Sequence, residues 1–282
     1  MLRIRSKFVF GEIIEVKEMF KWKLSKDTLI AVIAGIVMIV LSLLMLPVSG
    51  DSTRDTIASF LIRDVLMIFG LGIVFVSKFV DKKGKEILSD IGFTKRRWKL
   101  SLALDVILAA GLAGIFIKDG IPEGNDFLCI GNLYAAVYIL TAGLFEMLFI
   151  YGFLRMNFEK AFGILPAILL TSAFYSFHHA GFQPEFLHLF LVGLMYCSVF
   201  YITRNMLVIF PFFWGVGALW DVIISSEAGE GIKNVESFVF ALIIWLLIAG
   251  WFLYRKVRRK TNVVENIDRD HGDSDQRREE CV

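Results

Sequence analysis

The chain has 282 residues, 56% of them apolar, a mean hydropathy of +0.65 and a formal net charge of +2. This is more apolar residue than a water-soluble core needs, and the near-neutral balance gives no basis for a nucleic-acid partner. The three cysteines, Cys129, Cys197 and Cys281, have neither a disulfide framework's pattern nor metal-ligand spacing.

In hydrocarbon, a helix satisfies its own backbone, and about 20 consecutive apolar residues are enough to cross. Runs of that kind lie at 29–48, 57–80, 101–117, 129–154, 164–180, 186–203, 206–224 and 235–254. They predict an all-α, polytopic membrane protein with eight transmembrane helices. Residues 1–28 mix basic and apolar side chains and read as an amphipathic segment on the membrane surface. Behind that charged stretch, the first run reads as a retained helix and not as a cleaved signal. The membrane domain is predicted over 29–254. The polar residues 255–282 read as a disordered tail.

Lys and Arg crowd into alternate connections: seven before the first run, eight in 78–99 and eight after Tyr254, against Arg54, Lys118 and Lys233 on the other side. Basic loops stay in the cytoplasm, so both termini are predicted there, in a multi-pass protein of a bacterial plasma membrane surrounded by lipid. The stretch 81–100 reads as one of these basic, topology-setting loops. Arg63-Asp64 reads as an interfacial pair near the start of the second run.

Ionisable groups within a span need a partner or a wet cavity. The fourth run contains Glu146, the fifth ends in His178 and His179, the sixth begins near His188, and the seventh contains Asp221. Two antiparallel helices place residues equidistant from their turn at similar depth. Glu146 and His178 mirror each other about Phe162, and His188 and Asp221 mirror each other about Arg204-Asn205. All four are predicted at one level, about 20 Å from the cytoplasmic turns at 1.5 Å per residue. A buried carboxylate there can take a proton from water while an imidazole orients the water or steadies an oxyanion. His178 and His179 are about 100° apart on a helix, so one is expected to face the centre and the other to bond locally. Glu and His from different helices could also hold a metal, zinc included, but carry no diagnostic spacing, so the cofactor is left open.

At these residues the chain resembles the CAAX protease and bacteriocin-processing family (CPBP, Abi or Rce1-like) of intramembrane endopeptidases. The resemblance extends over 84–224. It rests on Glu146-Met147-Leu-Phe-Ile-Tyr151-Gly152 against a Glu-Glu-x-x-x-Arg motif, and on Phe174-Tyr-Ser-Phe-His178 against Phe-x-x-x-His. It also rests on Gly217-Ala-Leu-Trp-Asp221 against His-x-x-x-Asn/Asp, with Ile-Gly-Phe-Thr-Lys-Arg-Arg-Trp before the third run resembling the family's basic loop. The resemblance implies that Glu146 and His178 activate water and that the third motif holds the oxyanion. Met147, Tyr151 and Gly217 depart from the motifs, and His188 is the candidate replacement beside Asp221.

Two functions follow. One is a hydrolase cleaving membrane-anchored, hydrophobic or lipidated peptides through an altered site. The other is a pseudoenzyme that binds and regulates a partner membrane protein or envelope enzyme. A transporter relaying protons through Glu146 is a third class, disfavoured by the apolar cytoplasmic halves of the fourth and fifth runs.

Overall fold

The computed structural model describes residues 16–48, 52–84, 86–119, 130–182, 185–207, 209 and 238–250, and every regular element among them is a helix. α1 (Val16–Met19) is a single turn. α2 (Lys26–Leu43) starts where the Ser25 hydroxyl accepts from the Thr28 N–H at 3.1 Å, with Asp27 at the positive end of the helix dipole. α3 (Thr53–Lys83) is capped in the same way by Ser52, and its middle, Phe60–Phe75, is wound in wider π-type turns. α4 (Ile87–Ile91) and α5 (Trp98–Asp119) follow. α6 occupies 130–162, in three parts: α-helical Ile130–Phe145, π-type Glu146–Leu154 and α-helical Arg155–Phe162. α7 (Ile164–His178), α8 (Phe186–Thr203) and α9 (Phe238–Gly250) complete the set. The chain divides into two units, Met1–Phe238 and Val239–Val282; α1 to α8 belong to the first.

Lys26–Leu43, Thr53–Lys83, Trp98–Ile115, Ala136–Phe162 and Phe186–Thr203 are long and apolar enough to cross a membrane, while α7 and α9 are apolar but shorter. These correspond to the predicted runs except 206–224, nearly all of which lies outside the described residues. Large apolar side chains point outward, among them Ile33, Ile36 and Val40 of α2, Val106 and Ile107 of α5, and Leu187 and Leu191 of α8. So much exposed apolar surface is unfavourable in water and natural against lipid, and the chain is an integral membrane protein.

Side-chain contacts fix the helix directions. Gly72 of α3 lies against Phe145 of α6, Phe75 against Phe149 and Phe153, and Phe79 against Phe153, so contacts advance together and α3 and α6 run parallel. α2 and α7 are parallel by the same test, with Phe174 seated on Gly35 and the Gly181 N–H donating to Ser42 Oγ at 3.0 Å. α7 and α8 are antiparallel, because Ser176 Oγ donates to the Phe186 carbonyl while Gly193 packs on Ser172. Helices two or four crossings apart are parallel, as an alternating path requires.

One end of the bundle gathers the basic connections. The 81–100 segment, expected as a topology-setting loop, is also a packed element. Ile87 and Ile91 are buried, and Gly92 ends α4 in the left-handed region (φ 113°), with Phe93 N–H donating to the Leu88 carbonyl. A side chain at Gly92 would also run into Phe200 and Met206. Lys21 and Lys23 N–H groups donate to the carbonyls of Phe162 and Ala161, tying the segment before α2 to the turn after α6.

Candidate functional site

α6 is the central helix. From Phe145 to Phe158 nearly every side chain is buried, and Phe145, Phe149 and Phe153 stack along one face at 5.5 and 5.7 Å. Within this apolar column Glu146 is a buried carboxylate at the first position of the π-type stretch. Wider turns of this kind recur where a functional side chain has to be offset from the regular helical phase.

Glu146 Oε1 is 3.4 Å from His179 Nε2 and 3.8 Å from His178 Nε2. The expectation that only one of the two histidines could face the centre is therefore corrected, since both aim Nε2 at the same oxygen. The reason is local. The helix stops at His178, and His179 has φ −85° and ψ −2°, close to the bridge region, which releases its ring from the 100° helical step. The ring turns back, and Nδ1 meets the Tyr175 carbonyl at 2.9 Å. A carbonyl only accepts, so Nδ1 carries the proton. Nε2 then either offers a lone pair or forms an imidazolium beside the carboxylate. In either state a proton can be shared between Glu146 and His179.

His178 is held differently. Its ring packs between Phe145 and Phe182 at 5.3 and 5.8 Å, and its Nδ1, like Glu146 Oε2, has no hydrogen-bond partner. Buried polar atoms without partners are costly, and here two of them belong to the same cluster. Bound water or a polar substrate group at these atoms would remove that cost.

The ligand-type atoms of Glu146, His178 and His179 lie within 4.8 Å of one another, making this a possible metal site. The donor set suits zinc, and the His179–Tyr175 hydrogen bond has the form of the outer partner that orients a metal-ligating imidazole. His188 is exposed on the first turn of α8 and is not part of the cluster. Asp221 lies outside the described residues.

Met147 and Tyr151, at the departing motif positions, are both buried, with the Tyr151 ring against Tyr175 and Tyr196 at 5.4 and 5.9 Å. One turn beyond Tyr151 stands Arg155, just past the end of the predicted fourth run. It is 1% exposed. Its Nε donates to the Tyr151 carbonyl at 2.7 Å, Nη1 to Glu159 Oε2 at 2.7 Å, and Nη2 to the Asp90 and Ile91 carbonyls at 2.6 and 3.3 Å. The guanidinium thus joins α6 to the C-terminal end of α4 and lies 3.9 Å over the Phe200 ring. The only sequence signal for this was the i, i+4 spacing of Arg155 and Glu159.

Among the described residues, the helical bundle thus buries a Glu-His-His cluster between the middle of α6 and the C-terminal end of α7. Residues 130–223 match the family model described as Rce1-like, type II CAAX prenyl endopeptidase Rce1-like. The matched segment, about a third of the chain, contains Glu146, both histidines and the 217–221 stretch. No curated protein and no solved structure matches the chain.

Proposed function

We propose that the protein is an intramembrane endopeptidase acting on membrane-anchored, hydrophobic or lipidated peptides. The observation that carries the proposal is the pair of imidazole Nε2 atoms aimed at one oxygen of a buried glutamate. Water held between Glu146 and the imidazoles loses a proton to the carboxylate as its oxygen attacks the peptide carbonyl. The proton passes to the leaving nitrogen as the C–N bond breaks, giving one carboxylic acid and one amine, which then exchange a proton to become carboxylate and ammonium. His179, fixed through Nδ1, orients the water, and His178 faces the carbonyl oxygen. A metal held by the three side chains would supply Lewis acidity.

Eight spans with cytoplasmic ends and a bacterial plasma-membrane location are part of the same proposal. The topology is supported by the alternation of helix directions among the described helices and by the basic end of the bundle. A second reading, a non-catalytic family member regulating a partner membrane protein, draws on Met147, Tyr151 and Gly217. Proteoliposomes offered a prenylated peptide and unmodified hydrophobic peptides separate the two. The proposal expects cleavage by wild-type protein, lost in Glu146→Gln. Absence of cleavage across the whole panel would favour the regulatory reading.

A further inference from the structure

Of the five helices long enough to cross a membrane, α5 is the least covered. Only 11% of Trp98–Ile115 is buried, against 67% of Ala136–Phe162, so nearly its whole flank meets its surroundings. On that flank Trp98, Lys99, Leu102, Ala103, Val106 and Ile107 line a shallow groove that opens outward. Helical spacing explains its shape. Ala103 has Lys99 four residues before it, Val106 and Ile107 three and four after it, and Leu102 alongside, so one methyl group is ringed by four longer side chains. Trp98, Leu102, Val106 and Ile107 are each more than half exposed, and among the described residues nothing fills the hollow.

The mouth of the groove lies at the basic end of the bundle. Lys95 and Arg96 are exposed on the turn just before α5, and Lys99 Nζ stands 5.8 Å from the centre of the Trp98 ring. This mouth is held in place. Asn205 Nδ2 donates to the Arg96 carbonyl at 3.1 Å, Arg97 Nη1 to the Ile202 carbonyl at 2.8 Å and the Met206 N–H to the Gly92 carbonyl at 2.9 Å, fastening the turn to the end of α8. Ser101 and Asp105, the buried polar residues of α5, lie on the opposite side of the helix, and among the described residues no carboxylate pairs with Lys99. Within a bilayer, a cation at the mouth of an apolar groove is complementary to an anionic headgroup with hydrocarbon chains below it. A partner helix would instead have to bring its own carboxylate to headgroup depth.

We propose that the groove binds one anionic phospholipid, with its phosphate on the Lys99 ammonium, its glycerol beside Trp98 and one acyl chain laid over Ala103 between Leu102, Val106 and Ile107. The depths agree. Val106 is seven residues beyond Lys99, about 10 Å along the axis, well inside a hydrocarbon layer whose half-thickness is about 15 Å. The lipid stands in for the protein neighbour that α5 lacks on this side. Such a site serves the packing of α5 whether or not the protein cleaves peptides.

Val106→Trp puts an indole beside the hollow. The full chain carrying it is titrated in nonionic detergent micelles with phosphatidylglycerol or phosphatidylcholine brominated in the acyl chains, and subtracting the quenching of the parent protein isolates the new indole. Phosphatidylglycerol is expected to reach half-quenching at a mole fraction about fivefold lower than phosphatidylcholine, the factor that one basic group near an anionic surface supports. Lys99→Gln is expected to bring the two lipids within about twofold of each other, whereas Lys78→Gln, which removes an exposed cation of α3 near the same end, leaves the ratio unchanged. Ala103→Leu fills the hollow and should weaken quenching by both lipids. The three substituted side chains are exposed, and thermal unfolding checks that each variant folds as the parent does. Equal quenching by the two lipids, or a preference that survives Lys99→Gln, would overturn the proposal. So would a preference lost equally in Lys78→Gln, which is a general effect of surface charge. Absence of quenching by either lipid would mean that a helix or a second copy covers this face, and quenching untouched by Ala103→Leu that the chain lies elsewhere; either result overturns the proposal too.

Discussion

Replacing Arg155 by Met keeps most of the side-chain volume and removes the charge and all five donors. The Tyr151, Asp90 and Ile91 carbonyls then lose their side-chain donor, and Glu159 keeps only Arg204, at 2.7 Å, and the Tyr201 hydroxyl, at 3.1 Å. Removing one partner of a buried ion pair costs about 3–5 kcal/mol, because the other is left uncompensated. Glu159 is one-fifth exposed and retains Arg204, which moves the expectation to the lower end, about 3 kcal/mol. Arg155→Lys keeps the charge but cannot reach Glu159 and α4 together, and should recover less than half of the loss. Equilibrium unfolding in mixed micelles reads both values. A loss under about 1 kcal/mol for Arg155→Met would refute the reasoning, since that is the range of an exposed pair.

Glu146→Gln should lower cleavage by about 10²–10⁴-fold, the usual contribution of a general base, while thermal stability stays level or rises. The amide removes a buried charge-bearing group whose second oxygen has no partner, and a fall in stability beyond about 1 kcal/mol would contradict this account. His188→Ala should leave activity within about twofold of wild type, because that side chain is exposed outside the cluster, whereas His179→Ala should reduce kcat by about 10²-fold or more; steady-state kinetics on one substrate distinguish the two. Gly181→Ala would press a methyl group into the Ser42 carbonyl and push α2 from α7, at a cost of about 1–3 kcal/mol read by thermal unfolding. Lys160→Ala breaks an ion pair with Asp90 whose partners are both half exposed, and should shift stability by less than about 1 kcal/mol.

The helical architecture was legible because apolar runs of spanning length have few alternatives in lipid, and observed boundaries differ from the predicted ones mainly where polar turns extend a helix. The fourth run was predicted to end at 154, yet α6 continues to Phe162 because Arg155 and Glu159 satisfy each other along it. The convergence of Glu146 and His178 was also legible, because reflection about a short turn depends only on residue count and rise. His179 was not: a periodicity argument assumes the helix continues, and the second imidazole enters only because it stops.

Arg155 and Asp64 were hidden for a shared reason. A hydropathy profile registers a charge but not its partners, and topology rules assign an unpaired charge to an aqueous boundary. Each of these groups instead has a partner from its own helix, Glu159 or Arg63, and one from another helix, the end of α4 or Tyr138 of α6. That pairing makes burial affordable and fixes a second helix against the one carrying the charge. Applied to the motif departures, the same logic changes what Tyr151 means. The motif that this stretch resembles has Arg where Tyr151 stands, and one turn further on Arg155 is buried and bonded to the Tyr151 carbonyl itself. Arg155 stands four residues on from Tyr151, on nearly the same face of α6, and Glu146 stands in a column braced by a buried guanidinium.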